Sequence, residues 1–254
     1  MTVEAVAVGP SVSPVAGTLR FRDAQSGCTF HVSSPGARPD LWDEYLAGAL
    51  RMYRHYRVER ALEYDRVRAG GLTSLFGIAQ DESGRFVAGV QARGPYLNVD
   101  EVHALQEWRG FCGRSLIRDM AAERLLAGVV EMKGAWVELG SPARSELSNT
   151  ISRCAVHFPM LLGARYGFAT VGTFAAGRHI TTGGVVVADV LPVPYPDDRY
   201  RTVPIWWDTR TCARFATPQQ DSLIRSEWLM LTIEAEPWPA GLDFAVEAQL
   251  RYVR

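Results

Sequence analysis

A chain of 254 residues, 47% hydrophobic and 22% charged, has the composition of an ordinary globular protein and enough apolar content for a sizeable core. Its formal net charge of -1 gives no global field that would draw it to nucleic acid or to a membrane surface. Four scattered cysteines, Cys28, Cys112, Cys154 and Cys212, form no CxxC pair and have no histidine at ligand spacing, which argues against a zinc site and a dense disulfide framework.

The basic charge is almost all arginine. Lys133 is the single lysine; it reads as a solvated residue ahead of a strand, and lysine chemistry has no other place in the chain. No apolar run reaches the length of a membrane span, and no positively charged region precedes an apolar stretch at the N-terminus, so a cytoplasmic location is expected.

Residues 1 to about 17, rich in Val, Ala, Pro and Gly, read as a loosely ordered arm. Thr18 to Val32 alternates as two short strands around an Asp23–Gly27 turn. Pro39-Asp40 opens an amphipathic helix with Trp42, Tyr45, Leu46, Ala49, Tyr53 and Tyr56 on one face. Ser74 to Gln80 and Phe86 to Ala92 form a hairpin across Asp81–Arg85. A short helix spans Asn98 to Trp108, and a second one runs from about Ser115 to Val130.

The strand Gly134–Leu139 runs into Ser141-Pro142, a helix start with Ser141 as N-cap. The helix it opens must kink or restart at Pro159, and Gly167 is its expected C-terminal cap. Cys154 and His157 read as core residues of this helix. Strands follow over Ala169–Ala175, Val185–Val193 and Tyr200–Trp207, with a short irregular or helical link over Gly177–Gly184 that carries His179. Thr217-Pro218-Gln219-Gln220 is a capping box that opens a last helix to about Ile233. The order predicts an α+β (α/β-like) fold: one mixed central sheet flanked by helices, over about 18–208, with a C-terminal helical addition over 209–254.

Glu138 stands near the end of an apolar strand, where burial raises a carboxylate's pKa and tunes it as a general base. Equally, it reads as a rim residue that caps the next helix. Tyr195-Pro196-Asp197-Asp198-Arg199-Tyr200-Arg201, with Trp206-Trp207-Asp208 beyond it, suits a recognition site for a polar small molecule, or else a turn with two tryptophans sealing the core. No G-x-S-x-G, G-x-G-x-x-G or P-loop pattern supports hydrolase, dinucleotide or NTP chemistry.

Several punctuation marks, spread over about residues 45 to 208, resemble the GNAT acyltransferases, and among them the autoinducer (acyl-homoserine-lactone) and N-acyl amino acid synthases. Tyr53–Val58 with Glu63 and Asp65 is similar to their arginine-bearing first helix and acidic loop. Phe86–Arg93 with Pro95 resembles their second hairpin strand, Trp136–Leu139 their glutamate-bearing strand, and Ala164–Phe168 the close of a GNAT helix. The chain departs from the pattern after Glu138: Gly140–Arg144 does not match the usual phosphate loop, and the nearest arginine is Arg144.

The resemblance implies transfer of an acyl group from acyl-CoA or an acyl-carrier protein's phosphopantetheine to a small amine or amino-acid-like acceptor, with no metal. In that reading Glu138 is the base and Tyr195 the acid that protonates the leaving thiolate. Arg93, Arg199 and Trp206 contact substrate, while Ser141 and Arg144 meet the donor at the helix start. A homodimer is compatible with it. The alternatives are a catalytically silent binding or assembly protein on the same sheet, and an unrelated α+β enzyme.

Overall fold

The computed structural model describes residues 17–234. Residues 1–16 of the expected N-terminal arm and the end of the C-terminal addition lie outside the described residues. Eight strands form one mixed sheet in the order β1-β2-β3-β4-β5-β6-β8-β7: β1 Leu19–Arg22, β2 Thr29–Ser33, β3 Leu75–Gln80, β4 Phe86–Arg93, β5 Val129–Val137, β6 Tyr166–Gly172, β7 Val185–Val186 and β8 Thr202–Asp208. The helices are α1 Pro39–His55, α2 Tyr64–Arg68, α3 Ala104–Glu107, α4 Arg114–Arg124, α5 Arg144–Leu161, α6 Thr173–Thr181 and α7 Pro218–Glu234. This is the α+β architecture expected, with helices on both faces of one sheet and a helix closing the described chain.

Both hairpins form as the alternation and turn residues predict. Helix α1 starts at Pro39 and buries Trp42, Tyr45, Leu46 and Ala49, while Tyr56 at its end is exposed. It packs with Phe76, Ile78 and Trp136 on one face of the sheet. Trp108, Ile117 and Ala121, from α3 to α4, join Val129, Phe168 and Trp206 in a second cluster. The opposite face is covered by α5 and α7. Every pair of neighbouring strands is antiparallel except β5–β6, which the crossover helix α5 makes parallel.

Several expectations are corrected. The second helix stops at Arg124, and Val129-Val130 already belongs to β5, so Lys133 lies inside a central strand and not ahead of it. Ser141 is not an N-cap: α5 begins at Arg144 after Ala143, with no side-chain cap. Pro159 does not break α5, because it falls in the last turn, where only one backbone bond is lost.

The carbonyl that Pro159 cannot bond belongs to Ala155, and Gly167 packs against it so closely that a Cβ there would lie 2.1 Å from the oxygen. Gly167 is thus a strand residue in close contact with a helix; Gly163, at φ +66°, follows the helix end as the left-handed residue. The link carrying His179 takes its helical alternative, as α6, which starts earlier, at Thr173; the strand expected over Val185–Val193 shrinks to two residues plus a bridge from Val193 to Thr202. Cys154 and His157 are buried, and all four cysteines are free.

Candidate active site

The centre of the sheet is open. Strands β5 and β6 pair from Val129↔Tyr166 to Met132↔Ala169 and no further, although β5 runs on to Val137 and β6 to Gly172. Ala135 is exposed and Thr170 and Gly172 remain accessible, in the middle of a sheet where residues are ordinarily sealed. A bulge adds to the opening: between Gly89↔Trp136 and Gln91↔Lys133, β5 takes one residue more than β4. Gly134 occupies it at φ +61°, and its carbonyl accepts a hydrogen bond from the Tyr45 hydroxyl at 2.9 Å.

On the α1–α4 face, a cluster of charged side chains lies at the base of this opening. Glu131 of β5 is fully buried; its carboxylate accepts from the Tyr96 hydroxyl (2.8 Å) and from the backbone N–H groups of His103 (2.8 Å) and Ala104 (3.2 Å). It thereby satisfies the orphan donors at the start of α3. One turn on, Glu107 pairs with the Lys133 ammonium and lies 3.0 Å from Nδ1 of His103. The other nitrogen of that ring, Nε2, lies 3.0 Å from Glu63, which also accepts both terminal N–H groups of Arg93 at 3.1 Å. Both ring nitrogens of His103 thus face carboxylate oxygens, and only a doubly protonated ring can donate to both.

Burial by itself would raise the Glu107 carboxyl, but the Lys133 charge and the His103 hydrogen bond hold it down to about 2. Burial likewise opposes ionisation of Glu63, and the His103 and Arg93 charges overcome it. For Lys133 burial works against the ammonium, while Glu107 and Glu131 raise its pKa above the ordinary lysine value. Two phenols face the same space. Burial pushes Tyr53 up to about 12, and burial followed by the charges of Glu107, Glu63 and Glu131 raises Tyr195 further. The Lys133 ammonium lies 5.8 Å from the centre of the Tyr195 ring.

Glu107 Oε2 and Arg93 Nε are buried without a hydrogen-bond partner, and neither phenol hydroxyl has one among the described residues. Unmet polar groups of this kind are costly inside a protein unless something else meets them.

One ligand atom each from His103, Glu107 and Glu131 would fit within 4.8 Å of one another. The donor set does not suit a metal ion: Glu131 is taken up by its three donors, the His103 ring is held between two carboxylates, and a divalent ion would sit beside the Lys133 ammonium.

The residues singled out by the sequence fall into two groups. Tyr195 and Arg93 belong to the cluster, although the fork of Arg93 is occupied by Glu63. Glu138, Arg144 and Arg199 form a rim that ties loops to the end of α1: Arg51 donates to Glu138 (Nε, 2.8 Å), Arg144 to the Tyr56 hydroxyl (2.7 Å) and Arg199 to the Arg57 carbonyl (3.1 Å). Glu138 is partly solvated and ion-paired, not held in a dry cleft. Ser141 lies in the loop between them, its N–H bonded to the Glu138 carbonyl at 3.3 Å. Trp206 is a core residue, its ring tilted against that of Phe168 with centres 4.3 Å apart.

Glu107, Glu131, His103, Lys133 and Tyr53 were not singled out as site residues. The available signals were a carboxylate inside Val129-Val130-Glu131-Met132 and a His–Glu pair four residues apart in His103–Glu107.

No family model matches the chain. It is 39% identical over 215 residues to the uncharacterized protein Rv1356c of Mycobacterium tuberculosis, across 84% of this chain and 81% of that protein. The protein Mb1391c of Mycobacterium bovis matches with the same figures. The chain belongs to their family.

Among solved structures it is similar to FeeM, an N-acyl amino acid synthase from uncultured soil microbes (TM-score 0.47, 10% identical, covering 72% of this chain and 92% of that chain). It is also similar to BjaI, a CoA-dependent acyl-homoserine lactone synthase, with SAM and isopentyl-CoA (TM-score 0.49, 17% identical, 92% and 100%). Both are synthases of the group that the sequence resembles.

Proposed function

We propose that the protein is an N-acyltransferase that takes an acyl group from a coenzyme A or carrier-protein thioester and places it on a small amine at the open centre of the sheet. The observation that carries this reading is the gap between β5 and β6, with a buried, unpartnered carboxylate oxygen of Glu107 beside it. The donor's pantetheine enters the gap. The N–H groups at the start of α5, which no side chain caps, and the neighbouring Ser141 and Arg144 meet its phosphates.

In the reaction the amine nitrogen bonds to the thioester carbon, the C–S bond breaks, and one proton is released. The acceptor's ammonium first gives one proton to water; Glu107 Oε2 then holds the free amine and takes the proton that the nitrogen loses after bonding. Its low pKa is adequate, because the nitrogen becomes far more acidic once bonded to the carbonyl carbon. The Tyr195 hydroxyl, kept protonated by its raised pKa, donates to the leaving sulfur. Glu138, expected from the sequence to be the base, is assigned to the rim instead, because Arg51 already holds its carboxylate.

The test is thiol release from acyl-CoA in the presence of a panel of amines, with melting measured alongside. Replacing Glu107 by Gln is expected to lower turnover about 100-fold or more, the usual scale of an acid–base group. Glu138→Gln is expected to keep most of it. Collapse in Glu138→Gln alone would return the base to that residue. Stabilisation by acyl-CoA with no thiol release from any amine would mark a silent binding module.

A further inference from the structure

We infer that the transferred acyl group is short, of acetyl to butyryl size, because Lys133 stoppers the gap at its base. This rests on the acyltransferase reading above. Immediately past the last paired residues, Met132 and Ala169, come Lys133 and Thr170, and the Lys133 ammonium reaches the Thr170 hydroxyl at 3.5 Å. The ammonium is nearly buried, paired with a fully buried Glu107 and set over the Tyr195 ring. Behind them the space is filled by Phe168 and Trp206, both buried with ring centres 4.3 Å apart.

A growing hydrocarbon chain gains free energy only by leaving water for apolar surroundings. In this gap it would meet a desolvated ion pair, whose separation is costly, and then a packed aromatic core. An acetyl or butyryl group ends before reaching them. The single lysine of the chain therefore acts as a length gauge.

The measurement is the affinity of the intact protein for coenzyme A and for its acetyl, butyryl, octanoyl and decanoyl thioesters, read by calorimetry. Affinity is expected to peak at acetyl or butyryl and to be at least about tenfold weaker for octanoyl, since a chain of that length must separate the buried Lys133–Glu107 pair. Lys133→Met, which removes the stopper and its charge, is expected to shift the optimum toward octanoyl. The wild-type series stands even if that variant fails to fold.

Affinity that climbs with every added methylene in the wild type, by up to about fourfold each as full apolar burial would give, overturns the inference and leaves the acyltransferase reading intact. Failure of coenzyme A and of every thioester to bind overturns the coenzyme A arm of that reading, and the inference with it.

Discussion

Glu107 and Lys133 illustrate how two charges can be kept ionised where neither would be alone. Each is opposed by burial and rescued by the other, with His103 and Glu131 completing the balance. A carboxylate depressed from 4.5 to about 2 contributes stability that is fully present above about pH 4.5 and is lost as the pH falls toward 2. Glu107→Gln is expected to cost about 3–5 kcal/mol at neutral pH, because Lys133 stays buried with its main partner gone. The deficit relative to wild type should shrink between pH 4.5 and 2, as urea unfolding across that range would show. A constant deficit would mean that Glu107 is not ionised in the fold. Glu138 carries no comparable stake: it pairs with an exposed arginine at the rim, where such pairs contribute about 0–1 kcal/mol.

The resemblance quoted Glu63 and Arg93 as separate marks, and they prove to be one ion pair. A helix expected through Val130 sets Glu131 at a boundary, whereas β5 starts at Val129 and holds the carboxylate inside a strand.

At the level of elements, α5 is the part on which most of the geometry depends. It makes β5 and β6 parallel, starts beside the gap and carries Pro159 in its last turn. The Ala155 carbonyl, which Pro159 has no N–H to meet, and the missing side chain of Gly167 are complementary: the helix could not lie so near β6 if Gly167 carried a Cβ. Gly167→Ala brings a methyl group against a backbone oxygen and is expected to cost about 1–3 kcal/mol, as overpacking does. Thermal unfolding checks it, and an unchanged melting temperature would show that helix and strand can separate freely. The capping signals at Pro39 and Thr217 were legible because a cap is a local arrangement of a few residues. Ser141-Pro142 looked equally local, yet the loop continues to Ala143, since the Glu138–Arg51 and Arg144–Tyr56 contacts hold its course.

On the scale of the whole molecule, one arginine joins parts of the chain that are distant in sequence. Arg153, fully buried in α5, donates to Asp23 of the first hairpin turn (2.7 Å), to Glu227 of α7 (2.6 Å) and to Gln220 (2.8 Å), while His157 meets Glu227 at 2.8 Å. This network docks the last helix on the face opposite the charged cluster. Arg153→Met leaves two buried carboxylates without their cation and is expected to destabilise the fold by about 3–5 kcal/mol. Hydrogen exchange should report faster opening of α7 and of the first hairpin together, and faster exchange in only one of them would show that the network does not couple them. Among the described residues no helix is long and apolar enough to cross a membrane.

Period, turn chemistry and caps settled the element types, the two hairpins, the amphipathic α1 and the mixed sheet, because each depends on residues within a few positions of one another. The site was decided elsewhere. Glu63, Arg93, His103, Glu107, Glu131 and Lys133 span about seventy positions, and beyond the four-residue spacing of His103 and Glu107 their local context does not bring these segments together. Only the parting of β5 from β6 after Met132, together with the way α3 sets His103 and Glu107 beneath it, brings them together. A buried charge is legible only when its partners are known, and those partners come from strand order and helix placement, which are properties of the assembled sheet.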